Sequence, residues 1–154
     1  MATNSVVVER LILAAPEAVW HALTDIRGWE GTVSGVERIE VLSSGGFGVG
    51  TRWRETRRML GKETTEELYV TACEPPERYV AEADSHGTHY VSECRLLPAA
   101  PERTTVRLTF AAEPADGVTG VLAKVFGRLG ARTARQALAG DLDDIAAAVE
   151  RRAG

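Results

Sequence analysis

Between Glu37 and Glu113 the sequence keeps a strand-like pattern almost without interruption, and after "PADG" (114–117) the period turns helical. That single switch limits the architecture more than any other feature. The strand runs are "ERIEVLSS", "TRWRETRRML", "KETTEELYVTACE", "RYVAEADS", "HYVSECRLLP" and "TTVRLTFAAE". Short turns join them: "GGFGVG", a turn at Gly61, "PPE", "HGT" and "AAPER". Strands so connected pair as an antiparallel meander. Such a sheet has one face to bury and only one long helix to cover it.

That helix is predicted over 117–152, where Val118, Val121, Leu122, Val125, Phe126, Leu129, Leu138, Leu142, Ile145 and Val149 recur at helical spacing. At ~1.5 Å per residue it would reach roughly 50 Å. Gly120, Gly127, Gly130 and Gly140 weaken it, and a kink is expected near 127–130. Lys124, Arg128, Arg132 and Arg135 also recur at helical spacing. They read either as the solvated face of this helix or as a lure for an anionic partner.

Before the meander, "SVVVERLILA" (5–14) reads as a strand and "PEAVWHALTDI" (16–26) as a helix. Pro16 suits the first turn, where its missing N–H costs nothing. Val19, Trp20, Leu23 and Ile26 form one apolar face. A second, glycine-interrupted turn follows over 27–35. A bent sheet does not fill its own concave side. The early helices with Trp20 and Trp29 are therefore expected to close one end of a hollow under the last helix.

The 154 residues suit one domain, 1–154, with a sizeable core. No apolar run is long enough to cross a bilayer, and "MATNSVVVER" lacks the build of a secretory signal, so a cytoplasmic protein is expected. A net charge of −4 argues against a nucleic-acid partner held by phosphate contacts. Cys73 and Cys94 form no CxxC and are expected as free thiols.

The order strand, short helices, meander, long helix resembles the helix-grip fold of the START-like (SRPBCC) superfamily, which includes the polyketide cyclase/dehydrase and lipid-transport proteins. The likeness covers nearly the whole chain. It is carried by "APEAVWHALTDIRGWEGTVSGVERIEVL", "VGTRWRET" and "VTACEPPERYV". It implies an α+β fold: a curved antiparallel sheet of about six to seven strands around a long C-terminal helix, with two short helices after the first strand. It also implies an apolar cavity between sheet and helix. Members bind lipids, polyketides, hormones or aromatic compounds, and some are aromatase/cyclases. Function carried over from a fold alone is analogy.

Within the strands, alternation puts Thr51, Trp53, Glu55, Arg57 and Met59 on one face and Arg52, Arg54, Thr56 and Arg58 on the other, which suits solvent. If Trp53 faces the cavity, so do Glu55 and Arg57. Buried, they must be paired. They then either orient a polar ligand group or move protons, unless the strand lies at the rim and they simply reach water. Glu66, Leu68, Val70 and Ala72 share a face, and Glu66 would meet Glu55 or Arg57 across the sheet in a suitable register. Tyr79 and Tyr90 begin adjacent strands, and Tyr90 shares a face with Ser92, Cys94 and Leu96. A buried tyrosine hydroxyl needs a partner, either from the protein or from a ligand.

Other motifs read as structure. "HGTH", with His86 and His89, lacks further metal ligands and reads as a turn. "GGFGVG" precedes a strand and lacks the Lys-Ser/Thr pair of a phosphate loop. His21 points outward, and neither it nor the cysteines form a nucleophile–base signature. No metal or cofactor is expected. The expected cavity wall comprises Trp53, Leu68, Val70, Tyr79, Tyr90, Cys94, Leu122 and Phe126, with Glu55 and Arg57 as polar anchors. The partner is then a small hydrophobic molecule, and the protein a monomer or homodimer. One rival is an aromatase/cyclase or dehydratase using the polar wall. Another is a partner-binding module without a pocket.

Overall fold

The computed structural model describes residues 4–59, 61–85, 87–114 and 128–153. Its order is β1 (Asn4–Ile12), α1 (Pro16–Thr24), a 3-10 turn (Ile26–Gly28), α2 (Trp29–Thr32), β2 (Val36–Val41), β3 (Arg52–Met59), β4 (Lys62–Glu74), β5 (Arg78–Ser85), β6 (Thr88–Ala100), β7 (Arg103–Pro114) and α3 (Arg128–Ala153). The strands make one seven-stranded antiparallel sheet, in the order β1-β7-β6-β5-β4-β3-β2. Strands β2 to β7 are the expected meander. Strand β1, set apart by the helical insert, pairs with β7 from Asn4↔Ala112 to Ile12↔Thr104. Irregularities at Val36/Arg38, Val70/Ala72 and Pro98/Ala100 break the ladders, and each extra residue adds bend and twist. The result is the helix-grip fold.

Period-two alternation is visible in β1, where Val6, Val8 and Ile12 are buried while Val7, Glu9 and Leu11 are exposed. In α1, Pro16 sits at the start without a side-chain cap, and Val19, Trp20 and Leu23 turn inward. The helix stops earlier than its pattern predicts, because the Asp25 side chain accepts from the Gly28 N–H and starts the 3-10 turn. Ile26 is still buried, but from that turn. Gly50, at φ 94°, holds a left-handed conformation that glycine adopts without strain. That lets its N–H donate to the Val70 carbonyl (2.9 Å), which folds the 43–51 segment over the sheet.

The described part of α3 has 26 residues and spans ~39 Å; residues 117–127 of the predicted helix lie outside the described residues. Leu142, Ile145 and Val149 are buried, and Arg132 and Arg135 are exposed, which fits the solvated-face reading for those two; Lys124 and the Arg128 side chain lie outside what is described. The stretch expected to kink, 127–130, straddles the limit of the described residues. Polar ties fix the helix on two sides. Arg10 pairs with Asp143 (2.7 Å) and the Leu13 N–H donates to Glu150 (3.0 Å) at the β1 edge. On the other side Ser34 donates its N–H and its hydroxyl to Asp144 (both 2.9 Å).

Both cysteines are free. Cys73 on β4 and Cys94 on β6 each pair with Tyr79 of the intervening β5. Two strand spacings of about 4.8 Å exceed the Cα separation of about 7 Å that a disulfide spans. No described helix is long and apolar enough to cross a membrane.

On the convex face Arg52, Arg54 and Arg58 pair with Glu67, Glu40, Glu37 and Glu63, all exposed but Glu67, which is half-buried. Thr56, expected in solvent beside them, is instead buried beneath this ladder and bonded to the Thr65 hydroxyl (2.9 Å). His89 sits on the same face, with Nδ1 2.6 Å from Asp84 and Nε2 2.6 Å from Glu82. The bonds to Asp84 and Glu82 outweigh partial burial and raise its pKa above the usual 6.5. Its stabilising contribution is then complete below about pH 6.5 and is lost as pH rises through the raised value. Asp84 and Glu82 are shifted down, Asp84 chiefly by His89 and Glu82 chiefly by Thr71, so their share is lost in acid. Between pH 6 and pH 8.5 the wild-type Tm is expected to fall by about 2 °C relative to His89→Ala. Parallel thermal melts of the two proteins would reveal a missing pH difference.

Candidate functional site

The concave face does not close on itself. In mid-sheet, β5 and β6 present Ala81, Ala83 and Ser92, and α3 opposes them with Ala134 and Ala137. Small side chains on both walls leave a cavity of about 600 Å³ between sheet and helix. Its apolar wall includes Trp29, Trp53, Leu68, Leu108, Phe110 and Leu138. Tyr90 stacks on Phe110 at 5.5 Å and 10° along that wall. One end is closed by an edge-to-face cluster, with Trp20 6.0 Å from Tyr79 and Phe47 5.0 Å from it. Trp29 packs edge-on against Trp53 at 6.1 Å, and its indole N–H donates to the Ala22 carbonyl (3.3 Å). The early helices thus close an end of the hollow.

The buried polar part of the wall includes a chain of four side chains. The Trp53 indole N–H donates to Glu55 Oε1 (3.2 Å), and Arg57 Nε–H donates to Glu55 Oε2 (2.5 Å). Arg57 then reaches across the cavity to α3, where Nη1 and Nη2 grip Asp141 at 3.1 and 2.7 Å. This is the fork geometry a guanidinium offers a carboxylate. Gly35 leaves room for it, since a Cβ there would stand 3.2 Å from Nη1. The Glu55, Arg57 and Asp141 side chains are only 9, 20 and 16% exposed. Burial alone would lower the Arg57 pKa, but Glu55 and Asp141 more than offset that, and Arg57 is held protonated beyond its usual range. Burial pushes the Asp141 carboxyl above the usual carboxylate range, against the pull of Arg57. Burial likewise pushes Tyr79 well above its ordinary value, raises Tyr90, and lifts the Cys94 thiol to about 12.

The register answers what alternation left open. Glu66 lies directly opposite Glu55, and Thr64 opposite Arg57, so both carboxylates belong to one wall. Of the residues expected on the wall, Trp53, Glu55, Arg57, Leu68, Tyr79 and Tyr90 line the cavity. Val70 and Cys94 do not. They are buried in the packed core at the closed end, where Trp20, Phe47 and Tyr79 take up the space. Leu122 and Phe126 lie outside the described residues. The residue missed is Asp141. Its signal was present: it stands on the inward stripe with Leu138, Leu142 and Ile145, where a charged side chain is out of place.

The polar wall can present a fixed guanidinium or orient a polar ligand group. Among the described residues no group of His, Cys, Asp and Glu is arranged to hold a metal ion.

Known structures share this architecture. TTHA0849 from Thermus thermophilus is 26% identical, with 94% of this chain and 98% of that one covered and a TM-score of 0.71. The Zhui aromatase/cyclase from Streptomyces sp. R1128 is 21% identical, with 99% and 97% covered and a TM-score of 0.76. A START superfamily protein from Mycobacterium smegmatis is 12% identical, with 96% and 97% covered and a TM-score of 0.76. Below about a quarter identity such likeness shows the fold alone. No curated protein matches the chain. The polyketide cyclase/dehydrase and lipid transport family model matches residues 3–150, and the protein belongs to that family.

Proposed function

We propose that the protein binds a small, largely apolar molecule (a lipid, a polyketide or an aromatic compound) in the cavity between sheet and α3. The Glu55–Arg57–Asp141 cluster then meets its polar end. One observation carries this reading: a hollow of about 600 Å³, walled mainly by apolar side chains, holds a convergent polar cluster. Ligand sites are typically about 300–1,000 Å³ with that composition. The hollow also weighs against a module with a filled core.

Native mass spectrometry on protein purified without denaturant is expected to show an extra mass that denaturation removes. Ala83→Leu offers a check on location, because it adds volume to existing empty space. It is expected to weaken binding of a naphthalene probe at least about tenfold while leaving Tm within about 3 °C. An unchanged affinity would move the ligand out of this cavity.

A second reading has its own support. A carboxyl with a raised pKa beside a fixed guanidinium suits proton transfer at a carbonyl. An outer Arg57 N–H not used by Glu55 or Asp141 would polarise the oxygen and Asp141 would supply or accept the proton, as an aromatase/cyclase or dehydratase requires. Asp141→Asn would then abolish turnover of a poly-carbonyl substrate while the probe still binds.

A further inference from the structure

Arginine is ordinarily the residue that fixes an organic anion in an apolar pocket. Among the described residues, Arg57 is the one cation on the cavity wall. Three of its five N–H donors are used, and neither two-point edge of the guanidinium is left open. Nε is taken by Glu55, and Nη1 and Nη2 are taken together by Asp141. We infer that the cavity takes a ligand whose polar end is a cation or a neutral hydrogen-bond donor, and turns away one whose polar end is a carboxylate or phosphate. This rests on the ligand-binding reading above and specifies its ligand.

Charge and geometry act in the same direction. Glu55, Arg57 and Asp141 carry one positive and two negative formal charges. An incoming anion must therefore either accept a single outer Arg57 N–H beside two carboxylates or displace Asp141 from a two-point grip. Displacement is unfavourable because Asp141 is held in place by its helix, so its local concentration at Arg57 is far above that of any free ligand. It would also leave a buried carboxylate without its partner. A donor meets the opposite situation, because each carboxylate has acceptor directions beyond the bonds it makes to Arg57 or Trp53. The side chains of the trio are 20% exposed or less, so salt screens them less than it screens the convex-face pairs.

The test uses the full chain at low ionic strength and pH 7, with three probes sharing one apolar body: 2-naphthylmethylamine, 2-naphthalenemethanol and 2-naphthoate. Titration calorimetry is expected to show the amine and the alcohol binding at least about tenfold tighter than the naphthoate. Equal affinities, or naphthoate binding tightest, would overturn the inference and leave the ligand-binding reading intact. Binding of no probe would overturn both. Asp141→Asn frees part of Arg57 and is expected to close the gap between amine and naphthoate at least about fivefold. A gap that stays the same overturns the assignment. If that variant does not fold, Glu55→Gln makes the same comparison.

Discussion

Replacing Arg57 by alanine is expected to cost about 3 kcal/mol of stability at pH 7.5, with part of the loss recovered in acid. The guanidinium lies between Glu55 and Asp141, and removing it leaves two poorly solvated carboxylates facing one cavity. Breaking a buried pair in this way typically costs about 3–5 kcal/mol, and the lower figure allows for the residual exposure of Arg57. The sign with pH follows from Asp141. Its carboxyl already lies above the usual range through burial, and loss of Arg57 removes the opposing pull. A group whose folded pKa is raised costs nothing below its unfolded value of about 4, and progressively more as pH rises through the folded value. Urea denaturation at pH 4.5 and 7.5 should show a smaller gap between wild type and variant at the lower pH. A gap independent of pH would mean that the carboxylates are solvated and the cluster is a rim feature. Arg57→Lys should recover little, because an ammonium does not reproduce the two-point grip.

Trp53→Ala is expected to be at least as damaging, at about 4 kcal/mol. The side chain is 1% exposed, packs edge-on against Trp29, and donates its indole N–H to Glu55. Its loss would enlarge the cavity and remove a bond to a charged acceptor. Trp53→Phe separates the two effects: it keeps most of the volume and loses the donor, and about 1.5 kcal/mol is expected. If Phe costs as much as Ala, the hydrogen bond to Glu55 dominates and the cluster holds the sheet in shape. If Phe costs nothing, packing alone is at stake. Chemical denaturation of the three proteins decides between these outcomes.

The fold was legible because two periods fill the chain in separate blocks. Strand alternation in 37–113 and the inward stripe at Leu138, Leu142, Ile145 and Val149 each point to one face. The site was legible only in part. Alternation placed Trp53, Glu55 and Arg57 together because they lie on one strand. It did not give the cross-strand register that sets Glu66 opposite Glu55, since register depends on turn geometry and on bulges such as the one at Val70/Ala72. Nor did it show that Val70 and Cys94 would be enclosed by aromatic packing, because that depends on where the 43–51 segment folds back. Asp141 was missed for another reason: with Asp143 and Asp144 beside it in the sequence, one inward carboxylate is hidden among its neighbours.

The pairing of β1 with β7 bears on how the chain acquires its shape. Residues 4–12 reach their hydrogen-bonding partners only when residues 104–112 have been made, and the ties to Asp143 and Glu150 come later still. Contacts so distant in sequence pay a large loop-closure entropy before they return any energy, which slows folding. During synthesis the meander would stand with its apolar side uncovered and one edge unpaired, the state in which nascent chains stick to one another. A chaperone or a slow ribosome would matter more to this protein's yield than to that of a helical bundle of equal length. Sequence changes that hasten β1–β7 docking should raise the recovered fraction without altering the finished molecule.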